Sequence, residues 1–289
     1  MTDAELARAI AEKAAEQGGT VYFVGGCVRD RLLGLENKDI DIEVHGIPAE
    51  ALEQLLSELG ACMKIGKSFG IYGLKGHALD IALPRTERRT GVGHRDFAVT
   101  SDPFLGTYGG KTADFTMNAL MQNVLTGEII DHFGGRQDLQ DGVLRHVDDV
   151  TFTEDPLRVL RAAQFAARFQ FSVAAETVEL CRRIDLSALS RERVMLEMEK
   201  ALPVRKSLRC FSENCELWGS WDTGFEVQAL IGLPQNQIHH QEGDTWTHTM
   251  LVLDEAAKRG TRCGIRWAFC WRLCAMTLAR QSAPRKSTA

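Results

Sequence analysis

Asp39 and Asp41 stand one strand step apart in the run DIDIEV at residues 39–44, where acids alternate with aliphatic side chains. A period of two puts Asp39, Asp41 and Glu43 on one face of a strand and Ile40, Ile42 and Val44 on the other. Carboxylates crowded so closely need a cation, and two of them at this spacing suit Mg2+, which takes one or two carboxylates plus substrate phosphate oxygens. Such ions activate an attacking hydroxyl and stabilise the leaving oxygens of an in-line displacement at phosphorus. Just upstream, VYFVGGCVRDRLLG (21–34) reads as a strand running into Gly25-Gly26, then a short helix from Cys27 to Leu33 that stops at Gly34. Two glycines let the backbone approach a ligand closely beside a helix N-terminus that favours anions, so this turn is able to hold a triphosphate. An alternating acid strand by itself is also the wet face of a half-buried sheet. The Gly-Gly turn directly ahead of it favours the chemical reading.

A second constellation lies in TFTEDPLRVLRAAQFAARF (151–169), where Thr153 as a cap, acids and Pro156 in the first turn, and apolar residues at helical spacing predict one helix. Asp155 and Arg158 then share a face, and the simple reading is an intrahelical ion pair contributing a few tenths of a kcal/mol. The alternative reading uses nucleobases. Cytosine and adenine each present an exocyclic amine beside a ring-nitrogen acceptor, so one Asp acceptor and one Arg donor satisfy both, whereas uracil and guanine present a carbonyl and an N–H there.

The elements that must carry these residues change character along the chain. Residues 21–147 mix short apolar runs with Gly-rich turns, as an α/β unit does, and from about residue 150 the pattern is helical and free of Gly as far as Leu202. A further helical stretch, THTMLVLDEAAKRG, closes on Gly260. The chain of 289 residues is 44% hydrophobic and 25% charged, which excludes disordered and collagenous classes. Its eight cysteines include no C-x-x-C pair, which argues against zinc knuckles and redox motifs, and no run approaches a membrane span, so a cytoplasmic protein is expected. The net charge of -5 is an average: beyond Glu255 there are eight Lys or Arg and no acid.

G-G-x-V-R-D-x-L-L-G followed by D-x-D resembles the head of the class II tRNA nucleotidyltransferases and bacterial poly(A) polymerases, within the polymerase β-like nucleotidyltransferase superfamily. The resemblance continues through LDIALPRTERRTGVGHRDF (79–97), DFTMNAL (114–120), TGEIIDHFGGRQDLQDGVLRHV (126–147), EDPLRVLRAAQFAARF (154–169), SRERVMLEMEKAL (190–202) and HHQEGDTWTHTMLVLDEAA (239–257). It implies an α/β head with a mixed sheet over 1–147, a helical neck over 148–225, a truncated helical body of HD type over 226–270 and an aberrant tail over 271–289. It also implies that Asp39 and Asp41 bind Mg2+, that Gly26 and Arg29, with Gly25 beside them, hold the triphosphate, and that Asp155, Arg158 and Arg161 face the incoming nucleotide. The implied reaction adds CMP and AMP from CTP and ATP to the 3' end of tRNA without a template. Asp80 is a candidate third carboxylate, equally readable as a strand-face residue. Arg85, Arg88, Arg89 and Arg95 read as a solvated loop or as an element near the nucleotide, and tRNA phosphates would be met by such local basic patches.

The sequence departs from that pattern at two places. Thr112-Ala113-Asp114 stands where the family usually writes Arg-Arg-Asp, and Gln164 stands where many relatives carry arginine. The His-Asp pair expected shortly after His248 is absent, and the segment after Leu273 has a different character. Permitted codons for Leu273–Ala289, read one base out of frame, give a sequence containing H-D-x-G-K, and the same exercise on Tyr108–Ala113 restores a double arginine, so a shifted frame at both places is one expectation. A poly(A) polymerase, an enzyme adding only CC or only A, and an inactive RNA- or nucleotide-binding fragment are the other readings.

Overall fold

The computed structural model describes residues 1–36, 39–65, 71–89, 97–101, 113–187, 189–201, 247, 248, 251 and 255. The expected body, apart from those isolated helical residues, and the expected tail lie outside the described residues, as do Arg95, Thr112 and most of 102–113. Two compact units divide the chain, Met1–Asp155 and Pro156–Ala289.

The first unit opens with α1 (Asp3–Glu16), started by a capping box in which Thr2 Oγ1 accepts from the Glu5 amide and Glu5 accepts from the Thr2 amide. Its buried residues, Leu6, Ala7, Ile10, Ala11 and Ala14, form one apolar stripe. Next come β1 (Thr20–Val24), α2 (Gly26–Leu32), β2 (Ile40–His45), α3 (Ala49–Leu59), β3 (Cys62–Ile65), β4 (Ile71–Leu74) and β5 (Leu79–Ala82). After the ribbon of β6 (Arg85–Arg89) and β7 (Phe97–Ser101) come a 3-10 turn at Thr116–Asn118, β8 (Met121–Asn123), β9 (Ile129–Ile130), α4 (Gly135–Asp141), β10 (Val143–Leu144) and α5 (Asp149–Glu154).

Seven strands make one mixed sheet in the order β3-β4-β5-β2-β1-β8-β9. The β2–β5 pair is parallel, and the other described pairs of this sheet are antiparallel. The alternation in β2 and β5 sorts its side chains as the sequence pattern requires. Ile42, Val44, Leu79 and Ile81 are buried, Asp41 and Glu43 are half-buried, and Asp80 is exposed. Val21 and Phe23 continue the buried layer on β1, and α1 lies against β1, β2 and α3. On α2, Arg31 covers the Phe23 ring at 4.5 Å and hydrogen-bonds Gln122 of β8, which ties this short helix to the sheet. The sequence segment between Pro84 and Phe97 is not loop throughout: Arg85–Arg89 pair antiparallel with Phe97–Ser101.

The single helix expected from Thr153 onward is two helices. Asp148, not Thr153, is the cap of the first, its carboxylate accepting from the Val150 and Thr151 amides at 3.1 and 2.9 Å. Thr153 lies inside α5 and donates its hydroxyl to the Val150 carbonyl. The break falls at Asp155, which is extended (φ -120°, ψ 105°), because the ring of the following proline disfavours helical geometry in the residue before it.

The second unit begins with α6 (Leu157–Phe169), with Pro156 at its cap position. It ends at Gln170 in the left-handed conformation, φ 58°. A short extended piece at Ser172–Val173 leads to α7 (Ala175–Arg183) and α8 (Arg191–Ala201), and α6 packs against α8. The small buried residues Ala162, Ala163, Ala166 and Ala167 give α6 a close-packing surface.

Candidate nucleotidyltransferase site

Strand β1 delivers the chain to Gly25, whose φ of 68° lies in the region an L side chain rarely adopts, and α2 starts at the next residue. The Gly25 amide donates to the Leu120 carbonyl at 3.3 Å, so the turn is fastened to the segment behind the 3-10 turn. A Cβ on Gly26 would meet Nη2 of Arg29 at 3.4 Å, which places that guanidinium directly beside the turn. Arg29 is only 5% exposed. Its Nε and Nη2 reach Asp30 Oδ1 at 2.7 and 2.6 Å, and Nη1 donates to Asn118 Oδ1 at 2.7 Å. Asn118 in turn donates Nδ2 to Asp114 Oδ1 at 2.8 Å. Sequence reasoning singled out Arg29 and missed Asp30, Asn118 and Asp114 as its supports, although DFTMNAL was already in view.

On the neighbouring strand, Asp39 is exposed just before β2, and Asp41 is half-buried within it. The parallel register sets Asp41 directly opposite Asp80 of β5. Burial pushes the Asp41 carboxyl above the ordinary carboxylate range, and the charges of Asp80 and Asp39 push it the same way. The structure therefore brings Asp39, Asp41 and Asp80 into one electrostatic group. Cys27, the first residue after the double glycine, joins the turn to this strand. Its Sγ donates to the Val24 carbonyl at 3.1 Å and lies 3.6 Å from the Asp41 carbonyl, and burial pushes its thiol up so that it remains a donor.

Among the described residues no three His, Cys, Asp or Glu side chains enclose a metal position by themselves. The donor set still fits a hard divalent cation, since a half-buried carboxylate raised by burial and by two like charges is relieved by positive charge. Mg2+ completes its shell with phosphate oxygens and water rather than with an all-protein cage.

On the second unit, Arg158 and Arg161 stand three apart on α6 and are half-buried, with the Arg161 guanidinium 5.3 Å from the Phe165 ring centre. Asp155 is not on that helix, so the shared helical face expected for Asp155 and Arg158 does not exist; the proline that ends α5 removes it. Gln164, one turn beyond Arg161, is buried, and its Nε2 has no hydrogen-bond partner among the described residues. Glu197 of α8 is also buried, with Oε1 on Lys200 at 2.7 Å and Oε2 without a partner among the described residues. His248 is helical and half-buried, and its surroundings fall outside the described residues.

A strand–Gly-Gly–helix turn lies next to a strand bearing paired aspartates on a mixed sheet, and residues 21–145 match the poly A polymerase head domain. The chain is 40% identical over 254 residues to the Multifunctional CCA protein of Chromobacterium violaceum, covering 86% of this chain and 60% of that one. Among solved structures it resembles a CCA-adding enzyme in complex with ATP (TM-score 0.64, 27% identity, 86% of this chain and 60% of that one). It also resembles a complex with CTP (TM-score 0.61, 28% identity, 82% and 54%). The chain is thus similar to CCA-adding proteins along most of its own length. It spans about 60% of the length of the curated relatives it matches.

Proposed function

We propose that this chain carries the nucleotidyl-transfer and nucleotide-selecting portion of an enzyme that adds CMP and AMP to the 3' end of tRNA, with CTP, ATP and Mg2+. The observation that carries this reading is the register of β2 on β5, which sets Asp41 opposite Asp80 beside the Gly25-Gly26 turn. In this reading Asp39 and Asp41 hold the metal, and the Gly25-Gly26 backbone with Arg29 receives the triphosphate. The bound metal supplies charge neutralisation at the α-phosphate and lowers the pKa of the attacking hydroxyl. The 3' oxygen forms its bond to the α-phosphorus as the bond to the bridging oxygen breaks, and pyrophosphate leaves. Arg158 and Arg161, with Asp155, read the amine and ring nitrogen shared by cytosine and adenine. Basic patches on the head and neck meet the tRNA phosphates. The relatives' names and the CTP and ATP complexes support the substrates. No described helix is long and apolar enough to cross a membrane, which fits work in the cytoplasm.

Incubation with Mg2+, radiolabelled CTP or ATP, and tRNA lacking its terminal C-C-A tests the reading. Incorporation of two C and one A is expected, and Asp41→Ala abolishes it; incorporation surviving in that variant overturns the metal assignment. Long A tracts would instead mark a poly(A) polymerase. Ala113, at a position where the resemblance implies arginine, favours as second reading a chain that binds nucleotide without transfer. Binding of CTP without incorporation identifies that case.

A further inference from the structure

We propose that Asn118 is the positioning residue of the triphosphate turn, holding the Arg29 guanidinium beside Gly26 through a hydrogen bond whose direction Asp114 dictates. The inference rests on the nucleotidyl-transfer reading, because it states how the turn is kept ready for a triphosphate.

The direction follows from donor and acceptor identities. Asp114 Oδ1 lies 2.8 Å from Asn118 Nδ2 and also takes the Phe115 amide at 2.9 Å, and an ionised carboxylate only accepts. The amide nitrogen of Asn118 must therefore face Asp114. Its oxygen is left to face Arg29 Nη1 at 2.7 Å, and a guanidinium only donates. A flipped amide would set oxygen against carboxylate and nitrogen against guanidinium, so both neighbours select one orientation. Asp114 and Asp30 are buried, 7% and 4% exposed, so little water competes for these bonds.

The chain of contacts ends at the glycines. Asp30 takes Nε and Nη2 of Arg29 while Asn118 takes Nη1, which fixes the plane of the guanidinium from two sides. The guanidinium lies beside Gly26, whose added Cβ would lie 3.4 Å from Nη2. The same 114–120 segment also holds Gly25, through the Leu120 carbonyl. Asn118 thus acts on the turn through Arg29, and Ala113, the residue before Asp114, offers no charge of its own to a phosphate.

The two bonds of Asn118 can be removed one at a time, which makes the proposal testable. The full chain, Asn118→Ala and Asp114→Ala are compared by equilibrium dialysis with radiolabelled CTP and Mg2+. Amide hydrogen exchange over residues 24–29 and thermal melting are measured alongside. Asp114→Ala keeps the Asn118 side chain but removes the acceptor that its Nδ2 shares with the Phe115 amide. Asn118→Ala is expected to weaken CTP binding about tenfold, the effect of losing one hydrogen bond to a charged group, and to speed exchange at Gly25 and Gly26. Asp114→Ala is expected to change both in the same direction. A lower melting temperature in Asn118→Ala with unchanged CTP affinity and unchanged exchange at the glycines overturns the proposal, as does an Asp114→Ala variant that binds CTP as tightly as the full chain. Failure of the unsubstituted chain to bind CTP would refute the functional reading instead, and the exchange comparison would still decide the positioning role.

Discussion

Asp30→Asn perturbs the head where its electrostatics are most exposed to a quantitative check. Asp30 and Arg29 are 4% and 5% exposed, and one carboxylate oxygen receives two guanidinium nitrogens at 2.7 and 2.6 Å. The substitution keeps size and one acceptor while deleting the charge, so the guanidinium loses its Asp30 carboxylate in a site with little water. Breaking a buried pair from one side costs roughly 3–5 kcal/mol, because the remaining charge keeps its desolvation penalty without that attraction. The exposed pair Arg8–Glu12 is the internal control, with side chains 66% and 57% exposed and a 3.0 Å contact. Pairs of that kind contribute about 0.3–0.5 kcal/mol. Urea unfolding followed by circular dichroism, with the midpoint compared among the unsubstituted chain, Asp30→Asn and Glu12→Gln, separates the two cases. The expected difference is at least about sixtyfold in the unfolding equilibrium constant, taking 1.4 kcal/mol per factor of ten. An Asp30→Asn variant no less stable than Glu12→Gln would refute the assignment of Asp30 as the buried counter-ion that braces Arg29.

Three further perturbations have definite expected outcomes. Asp41→Asn should stabilise the metal-free protein near neutral pH. A carboxyl raised in the folded state makes the native form bind protons more tightly, so that wild-type stability falls as pH rises from the ordinary carboxylate range through the raised one; the gain should vanish at lower pH, and urea midpoints across pH measure it. Gly135→Ala should prevent native packing of α4, since its Cβ would lie 2.2 Å from the Thr116 carbonyl oxygen, and a melting curve indistinguishable from wild type would contradict this. Gln164→Met should be neutral or stabilising by about 1 kcal/mol, because it replaces a buried amide whose Nε2 lacks a partner among the described residues with an apolar group of similar volume. A loss above about 2 kcal/mol in urea unfolding would mean that the amide is bonded.

The pattern of acids and aliphatic residues in 39–44 made the strand and the face that carries its aspartates readable from the sequence, because a period of two leaves no other arrangement of a half-buried strand. The double glycine was readable for the same reason: few residues tolerate the φ that Gly25 adopts. The partnership of Asp41 with Asp80 was not, since it depends on a parallel register between strands joined by α3, β3 and β4. The type of Arg29 was legible but its burial between Asp30 and Asn118 was not, because non-local packing sets a side chain's surroundings. The break at Asp155 was available in principle from Pro156. Weighing proline as a first-turn residue of a helix outran its effect on the residue before it.

The parallel step between β2 and β5 has a consequence for how the protein comes into being. Strand β2 can pair with β1 as soon as the first turn of chain is made, but Asp41 acquires its neighbour only after the whole excursion through α3, β3 and β4 has closed. Closure of that excursion is a non-local event with an entropic cost before any contact repays it, and its last act is to place one carboxylate beside another. During synthesis Asp41 therefore gains Asp80 only after the β1–β2 pair is available, though before β8 and β9 are made, and a divalent cation that binds the assembled acids would draw β5 into place, acting on the newborn chain as a folding ligand.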